Sequence, residues 1–367
     1  MPRIESAAAP RDWTLREYSP GDREGVFQLR TEVYGETFSE EDWVWKFERS
    51  PLRPARIYLA ESEGRIVGLR NFLFREVKVG NDVWLSVLTV DAMVHPDFRR
   101  LGIWSTLTRE GVRRLRAEGI HLAVSFVGPH RNTYAGFRKL GWMDVGSIPL
   151  LVKPLRLGGL LAKALRSRRL QAPADRISAF LPRIRPRRRL PQAGGLSIER
   201  IESFDGQFDR LWEQQSRERT FSLVRDQKYL NYRYRDRPGE NYALFAAYRG
   251  KDLAGYTVVR RSLRMFDLSI GLVMELATTG EPQEADSLVD EAVRYLDAEE
   301  VDAIGCLMMR HSPQYGVLRR AGFLPVPSRF NPRDYHPMVE ADPTKLSRAM
   351  MADRGNWHFT WGDFDVG

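Results

Sequence analysis

Val94-His95-Pro96-Asp97-Phe98-Arg99-Arg100-Leu101-Gly102-Ile103-Trp104 is the stretch on which the reading of this chain turns. Before it, residues 83–94 read as a strand that ends at Val94. After it, Leu107, Gly111, Val112 and Leu115 recur on one helical face over about Trp104–Glu118, and Gly119 closes the helix as a C′ glycine does. A strand therefore enters a helix through a basic turn. A helix start presents unpaired N–H groups and roughly half a positive charge, which suits a phosphate. Gly102 lets the backbone approach an anion with no Cβ in the way, and Arg99 and Arg100 add charge.

Working outward, Ile57–Glu61 and Arg65–Glu76 read as strands joined by a turn at Gly64, and Gly80-Asn81-Asp82 turns the chain into Val83–Val94. Ile120–Val127 alternates as a strand, and a short helix from about Asn132 to Leu140 leads to Gly141. An antiparallel meander followed by helix, strand, helix and strand gives a mixed α/β fold, a mostly antiparallel sheet flanked by helices. The pattern recurs. Residues 51–68 are matched by 238–255, each behind a helix-like aromatic stretch, Trp43, Trp45 and Phe47 in one and Leu230, Tyr232 and Tyr234 in the other. Tyr134–Trp142 is matched by Tyr315–Phe323. We expect a duplicated domain, with a first copy at 1–153, a connector at 154–195 and a second copy at 196–367.

Length and composition agree with two packed domains. The 367 residues are 43% hydrophobic and 11% aromatic, which excludes global disorder. No apolar run approaches the roughly 20 residues of a membrane span. The sole cysteine, Cys306, excludes an internal disulfide and a thiolate metal cluster. Met1-Pro2-Arg3-Ile4-Glu5 shows no apolar signal core, so the expectation is a cytoplasmic protein without a metal. The net charge of +9 is localised. Residues 156–191 hold ten Arg, one Lys and one acid, a net of +10, so the rest of the chain sums to −1. This connector reads either as a solvated linker or as a contact for an anionic partner or membrane surface. Phe180 is its one aromatic, which argues against base stacking and a stable nucleic-acid complex.

The turn resembles the acyl-CoA-binding signature of the GCN5-related N-acetyltransferase (GNAT) superfamily, Arg/Gln-x-x-Gly-x-Gly/Ala. Arg99 and Gly102 match its first two defined positions, and Trp104 stands where that family has Gly or Ala. Val94 and Pro96 resemble the family's strand end, and Asn132…Gly141-Trp142 resembles its Asn-x-x-Ala…Lys-Leu-Gly-Phe segment. The likeness covers residues 13–153 well and 196–337 in architecture only. It implies two GNAT-like domains and a splay between the fourth and fifth strands that receives pantetheine. Backbone groups of Met93 and Val94 would bind the pantetheine amides. The N–H groups of Arg99, Arg100, Leu101, Gly102, Ile103, Trp104 and Ser105 would hold the pyrophosphate, with Asn132 near the thioester. The second copy reads Thr278-Thr279-Gly280-Glu281-Pro282-Gln283-Glu284-Ala285-Asp286 at the equivalent place. Its three acids would repel a diphosphate, so one CoA site per chain is expected and the second copy is degenerate.

Attack of an amine on a thioester needs a base, an oxyanion donor and an acid for the leaving thiolate. Where the family often carries a tyrosine acid, this chain has Phe137, and Tyr134, about one turn earlier, is the substitute candidate. Asp91, three residues before Val94, is the candidate base; a strand-end Asp also commonly bonds a nearby loop. His130 faces the same region as a further candidate, whereas His95 borders the turn and is expected to bond locally. Trp357–Asp365 alternates like a strand, with Asp363 and Asp365 on one face. The leading expectation is transfer of acetyl from acetyl-CoA to a primary amine of a small molecule or amino sugar. The alternatives are an aminoacyl-tRNA-dependent transferase of tandem-GNAT type and a non-catalytic acyl-CoA sensor or scaffold.

Overall fold

A computed structural model describes residues 12–156, 195–265, 268–331 and 334–364. The chain divides into two compact units. The first takes residues up to 76, 84–144 and 338–349, and the second takes 77–83, 145–337 and 350 onward.

In the first unit the strands are β1 (Thr14–Glu17), β2 (Arg56–Ser62), β3 (Arg65–Val79), β4 (Asp82–Val94), β5 (Leu122–Val127) and β6 (Met143–Asp144). They lie in the order β1-β2-β3-β4-β5, then a strand returning from far along the chain, His336–Ala341, then β6. β1 and β3 both run antiparallel to β2, and β4 and β5 run parallel. The helices are α1 (Arg23–Tyr34), α2 (Glu40–Trp43), α3 (Ile103–Ala117) and α4 (Asn132–Lys139). α2 continues as a π-helical turn, Val44–Glu48, that buries Trp45 and Phe47.

α3 follows from its sequence. Ile103, Leu107, Gly111 and Leu115 recur every four residues and are buried against the sheet, each large apolar side chain contributing about 1.5–3 kcal/mol. Gly111 is required by contact: a Cβ there would lie 2.4 Å from Phe72 Cζ and 3.1 Å from Tyr58 Cδ2. Arg114 and Arg116 in the last turn oppose the negative end of the dipole, and Gly119 leaves the helix at φ 87°.

The second unit has β7 (Leu150–Pro154), β8 (Leu196–Ile201), β9 (Phe221–Leu223), β10 (Tyr242–Arg249), β11 (Asp252–Met265), β12 (Leu268–Thr278), β13 (Ala303–Leu307) and β14 (Leu324–Pro325). Its sheet order is β8-β10-β11-β12-β13-β7-β14, with β12 and β13 parallel. α5 (Gly206–Ser216), α6 (Gln227–Leu230), α7 (Pro282–Ala298) and α8 (Pro313–Arg320) complete it. A π-helical turn, Asn231–Arg235, follows α6 as one follows α2. From this turn onward the order, three strands, helix, strand, helix and strand, is that of the first unit; the strand β9 before α6 has no counterpart there.

Each unit nevertheless takes one strand from the opposite half of the sequence. β7 pairs antiparallel with β13, Leu151 opposite Cys306, while Met338 and Val339 of the returning strand pair with β6. Residues 145–153, assigned from the sequence to the first copy, therefore fall in the second unit, and 338–349 fall in the first. The alternation of β7 suits any half-buried sheet edge; which edge receives it is a long-range choice. The part of the connector from 157 to 194 lies outside the described residues.

The C-terminal strand expected over Trp357–Asp365 is corrected. Only Trp357–His358 is strand, and Trp361–Asp363 forms a 3-10 turn capped by Thr360. Trp357 stacks on Phe221 at 4.2 Å, so the aromatic alternation serves packing. Asp363 is buried and accepts from Arg225 at 2.8 Å; Asp365 lies outside the described residues. Among the described residues no helix is long and apolar enough to cross a membrane, and no three His, Cys, Asp or Glu side chains gather as a metal site.

Candidate active site

β4 and β5 pair at Val87–Ala123 and Leu88–Val124 and no further. Beyond Leu88 the ladder is open, so the edge of β4 leading to Met93 and Val94 has no β5 partner. Thr89 and Ser125 stand at the fork, where Ser125 Oγ donates to the Thr89 carbonyl at 3.3 Å. Met93 is buried and Val94 partly buried, and the β3 side of the ladder continues with His95 N–H on the Val67 carbonyl at 2.9 Å.

The turn after β4 is held in left-handed backbone. Arg100 has φ 68° and Gly102, the N-cap of α3, has φ 77°. Gly102 takes this φ without the strain an L residue would carry, and a Cβ there would meet nothing nearer than Ser105 Oγ at 3.9 Å. Ser105 Oγ donates to the Gly102 carbonyl at 2.8 Å, bracing the first turn. The opening N–H groups of α3 have no carbonyl a turn behind them, and Arg99, Arg100 and Leu101 are exposed beside them. Such a turn suits an anion. Trp104, the departure from the family pattern, is directed at α4: a Cβ on Gly136 would lie 2.5 Å from its ring, and Phe137 packs edge-on at 4.9 Å. His95 bonds locally, its Nδ1 accepting from Asp97 N–H at 3.3 Å.

The three candidate catalytic side chains have different settings. Asp91 has φ 43°, outside the extended range of a strand, and its carboxylate accepts from Lys46 Nζ at 2.5 Å. Among the described non-glycine residues only four have positive φ, and Asp91 and Arg100 are two of them. Tyr134 donates its hydroxyl to Asp144 Oδ2 at 2.6 Å. That bond, with burial, pushes the phenol above its usual range and makes it a weaker acid. His130 is exposed in the turn before α4, and Asn132, the first residue of that helix, is exposed too. Phe137 is buried against Trp104 and Trp142.

Sequence reading missed two residues. Lys46 sits in the π-helical turn between two buried aromatics; the signal was a lysine in a chain with eight Lys against 49 Arg. Arg70 on β3 is 3% exposed and donates to Thr89 Oγ1 at 2.7 Å at the fork, while its Nε has no partner. Rings of Phe137, Trp104 and Phe72 lie 5.4, 5.8 and 5.9 Å from it. Burial lowers its guanidinium to about 9, against the pull of Asp91, and it stays charged at neutral pH. Nothing in the local pattern marks it, because an Arg on a strand normally faces solvent.

The second unit preserves the layout and changes the chemistry. Glu275 lies three residues before Thr278, as Asp91 does before Val94, but it is buried and bonded to Arg225 Nε at 3.0 Å and to Tyr234. At the start of α7, Glu284 is buried and accepts from the N–H and hydroxyl of Thr279 at 3.2 and 2.7 Å.

A forked parallel pair followed by a left-handed, glycine-capped helix start is the geometry this unit presents. Residues 14–144 match the family described as Acetyltransferase (GNAT) domain. Among solved structures, the fold is shared with a GCN5-related N-acetyltransferase from Anabaena variabilis ATCC 29413, at 13% identity and TM-score 0.63, over 89% of this chain and 72% of that one. The corresponding protein from Kribbella flavida gives 15%, 0.60, 92% and 72%. Saccharomyces cerevisiae N-myristoyltransferase, solved with bound myristoyl-CoA, gives 14%, 0.57, 93% and 83%. A search of curated proteins by sequence finds no match.

Proposed function

We propose that the protein is an N-acyltransferase that moves acetyl from acetyl-CoA to a primary amine of a small molecule or amino sugar. The first unit holds the donor, and the second is a degenerate GNAT copy. The observation that carries this is the open left-handed turn at Arg100–Gly102 on the α3 N-terminus beside the fork of β4 and β5. Met93 and Val94 would bind the pantetheine amides by their backbone. The N–H groups from Arg99 through Ser105 would take the diphosphate, with Asn132 toward the thioester. The donor supplies an activated acyl carbon and a thiolate leaving group.

Asp91 is the best-placed base, with Lys46 as its positioning residue; an entering ammonium would compete with Lys46 for the carboxylate. Tyr134 would act as acid only after leaving Asp144, and His130 lies toward the acceptor side. We place the enzyme in the cytoplasm and reserve residues 156–191 for an anionic partner or membrane surface, an interaction that added salt would weaken. The ties on Asp91 and Tyr134 favour, as a second reading, an acyl-CoA sensor without turnover. Thiol release from acetyl-CoA over an amine panel separates the two. Turnover that falls at least 100-fold in Asp91→Asn while acetyl-CoA still binds supports the enzyme. Binding with no release for any amine supports the sensor. No acetyl-CoA binding refutes both.

A further inference from the structure

On the donor reading, the open edge of β4 has a direction. The diphosphate would sit at the turn, the pantetheine amides on Met93 and Val94, and the thioester beside Asp91. Carried on along β4, the acyl group would point to Thr89, two residues past Asp91 and about 7 Å of strand. There the cleft ends, because β4 and β5 pair at Leu88–Val124 and Ser125 bonds the Thr89 carbonyl. Whatever stands at this end limits how long an acyl chain fits.

Three side chains of the first unit stand there. Arg70 on β3 is buried and reaches Thr89 Oγ1 with Nη2 at 2.7 Å. The rings of Phe137 and Trp104 lie 5.4 and 5.8 Å from its guanidinium carbon. Trp104 crosses from α3 to α4 and fills the place of a side chain at Gly136, where a Cβ would lie 2.5 Å from the ring. Phe137 meets Trp104 edge-on at 4.9 Å and backs onto Trp142 at 4.6 Å, so the wall is braced from behind.

This wall is aromatic, but it is not apolar. Arg70 Nε and Trp104 Nε1 are both buried with no hydrogen-bond partner. An alkyl chain offers neither N–H an acceptor, and laid against the guanidinium it would shut a charge away from water, which is unfavourable. The other route for a long chain, displacing Trp104, gives up the contact over Gly136. An acetyl methyl ends before either obstacle.

We propose that Trp104, Phe137 and Arg70 form the end wall of the acyl slot and confine the donor to short acyl groups, excluding chains such as octanoyl. The inference rests on the donor-site reading above and adds to it the feature that selects among donors.

The test is calorimetric titration of the full chain with CoA, acetyl-CoA, butyryl-CoA and octanoyl-CoA. In an open apolar slot each added methylene would tighten binding about fourfold. Here octanoyl-CoA is expected to bind at least tenfold more weakly than acetyl-CoA. Trp104→Ala removes the ring and Arg70→Met the charge, and each is expected to shift the ratio of the two dissociation constants at least tenfold toward octanoyl. A ratio is read because a general loss of donor affinity cancels in it. If Trp104→Ala does not fold, Arg70→Met and the wild-type ranking decide. The proposal is overturned if the wild type binds octanoyl-CoA as tightly as acetyl-CoA, or if both folded variants keep the wild-type ratio. Failure of CoA itself to bind would sink the donor site and this inference together, whereas CoA binding with no effect of chain length sinks this inference alone.

Discussion

Gly102→Glu is the sharpest perturbation of the proposed donor site, because its effects on folding and on binding separate. A Cβ at Gly102 meets nothing within 3.9 Å, so the variant has no steric cost in the folded chain. The backbone cost is that of an L residue at φ 77°, about 1–2 kcal/mol, or a Tm lowered by about 2–6 °C. The binding cost is electrostatic. A carboxylate about 5 Å from one diphosphate charge, at an effective dielectric near 20, opposes binding by about 3 kcal/mol, which raises Kd about 200-fold. Calorimetric titration with acetyl-CoA reads the second quantity and a melting curve the first. Gly102→Ala isolates the backbone term. Gly280→Glu, in the corresponding turn of the second unit, should leave the titration unchanged. A Gly102→Glu protein that melts within these few degrees of wild type and binds acetyl-CoA with unaltered Kd would refute the placement of the diphosphate at this turn.

Gly111→Ala should lower stability by about 1–3 kcal/mol in urea, since its methyl would press into Phe72 and Tyr58; an unchanged midpoint would contradict the close packing of α3. Arg225→Met strands the buried Glu275 and Asp363 and should cost about 3–5 kcal/mol, with Glu275→Gln and Asp363→Asn restoring part of it; a loss below about 1 kcal/mol would contradict the network. Asp22 is held down to about 2 by Arg16. Because that value lies below the unfolded 3.8, its contribution is full above pH 3.8 and lost as pH falls through 2. Arg16 is open to water, so Asp22→Asn should cost about 1 kcal/mol at pH 7 and only a small part of that at pH 2, read by urea unfolding at both.

The local elements were legible where a periodic pattern met a clear stop. α3 was expected over Trp104–Glu118 and runs Ile103–Ala117, because four-residue apolar spacing and Gly119 are properties of the segment itself. The turn at Arg99–Gly102 was readable for the same reason: a left-handed N-cap needs glycine wherever the chain goes next. The C-terminal alternation misled, since Trp357, Phe359 and Trp361 pack by aromatic contact without a partner strand beyond His358.

By itself, then, the sequence determined the α/β class, the helix α3 and the glycine turn that starts it. All of these rest on spacing within a few residues or on one segment compared with another. Tertiary structure alone decided that β7 joins β13, that Lys46 sits on Asp91 and that Arg70 is buried at the fork. Each of these depends on a partner outside the local segment, 19 residues away for Arg70 and 45 for Lys46. Burial and ion pairing are set by what surrounds a side chain in space, and local spacing carries no record of that.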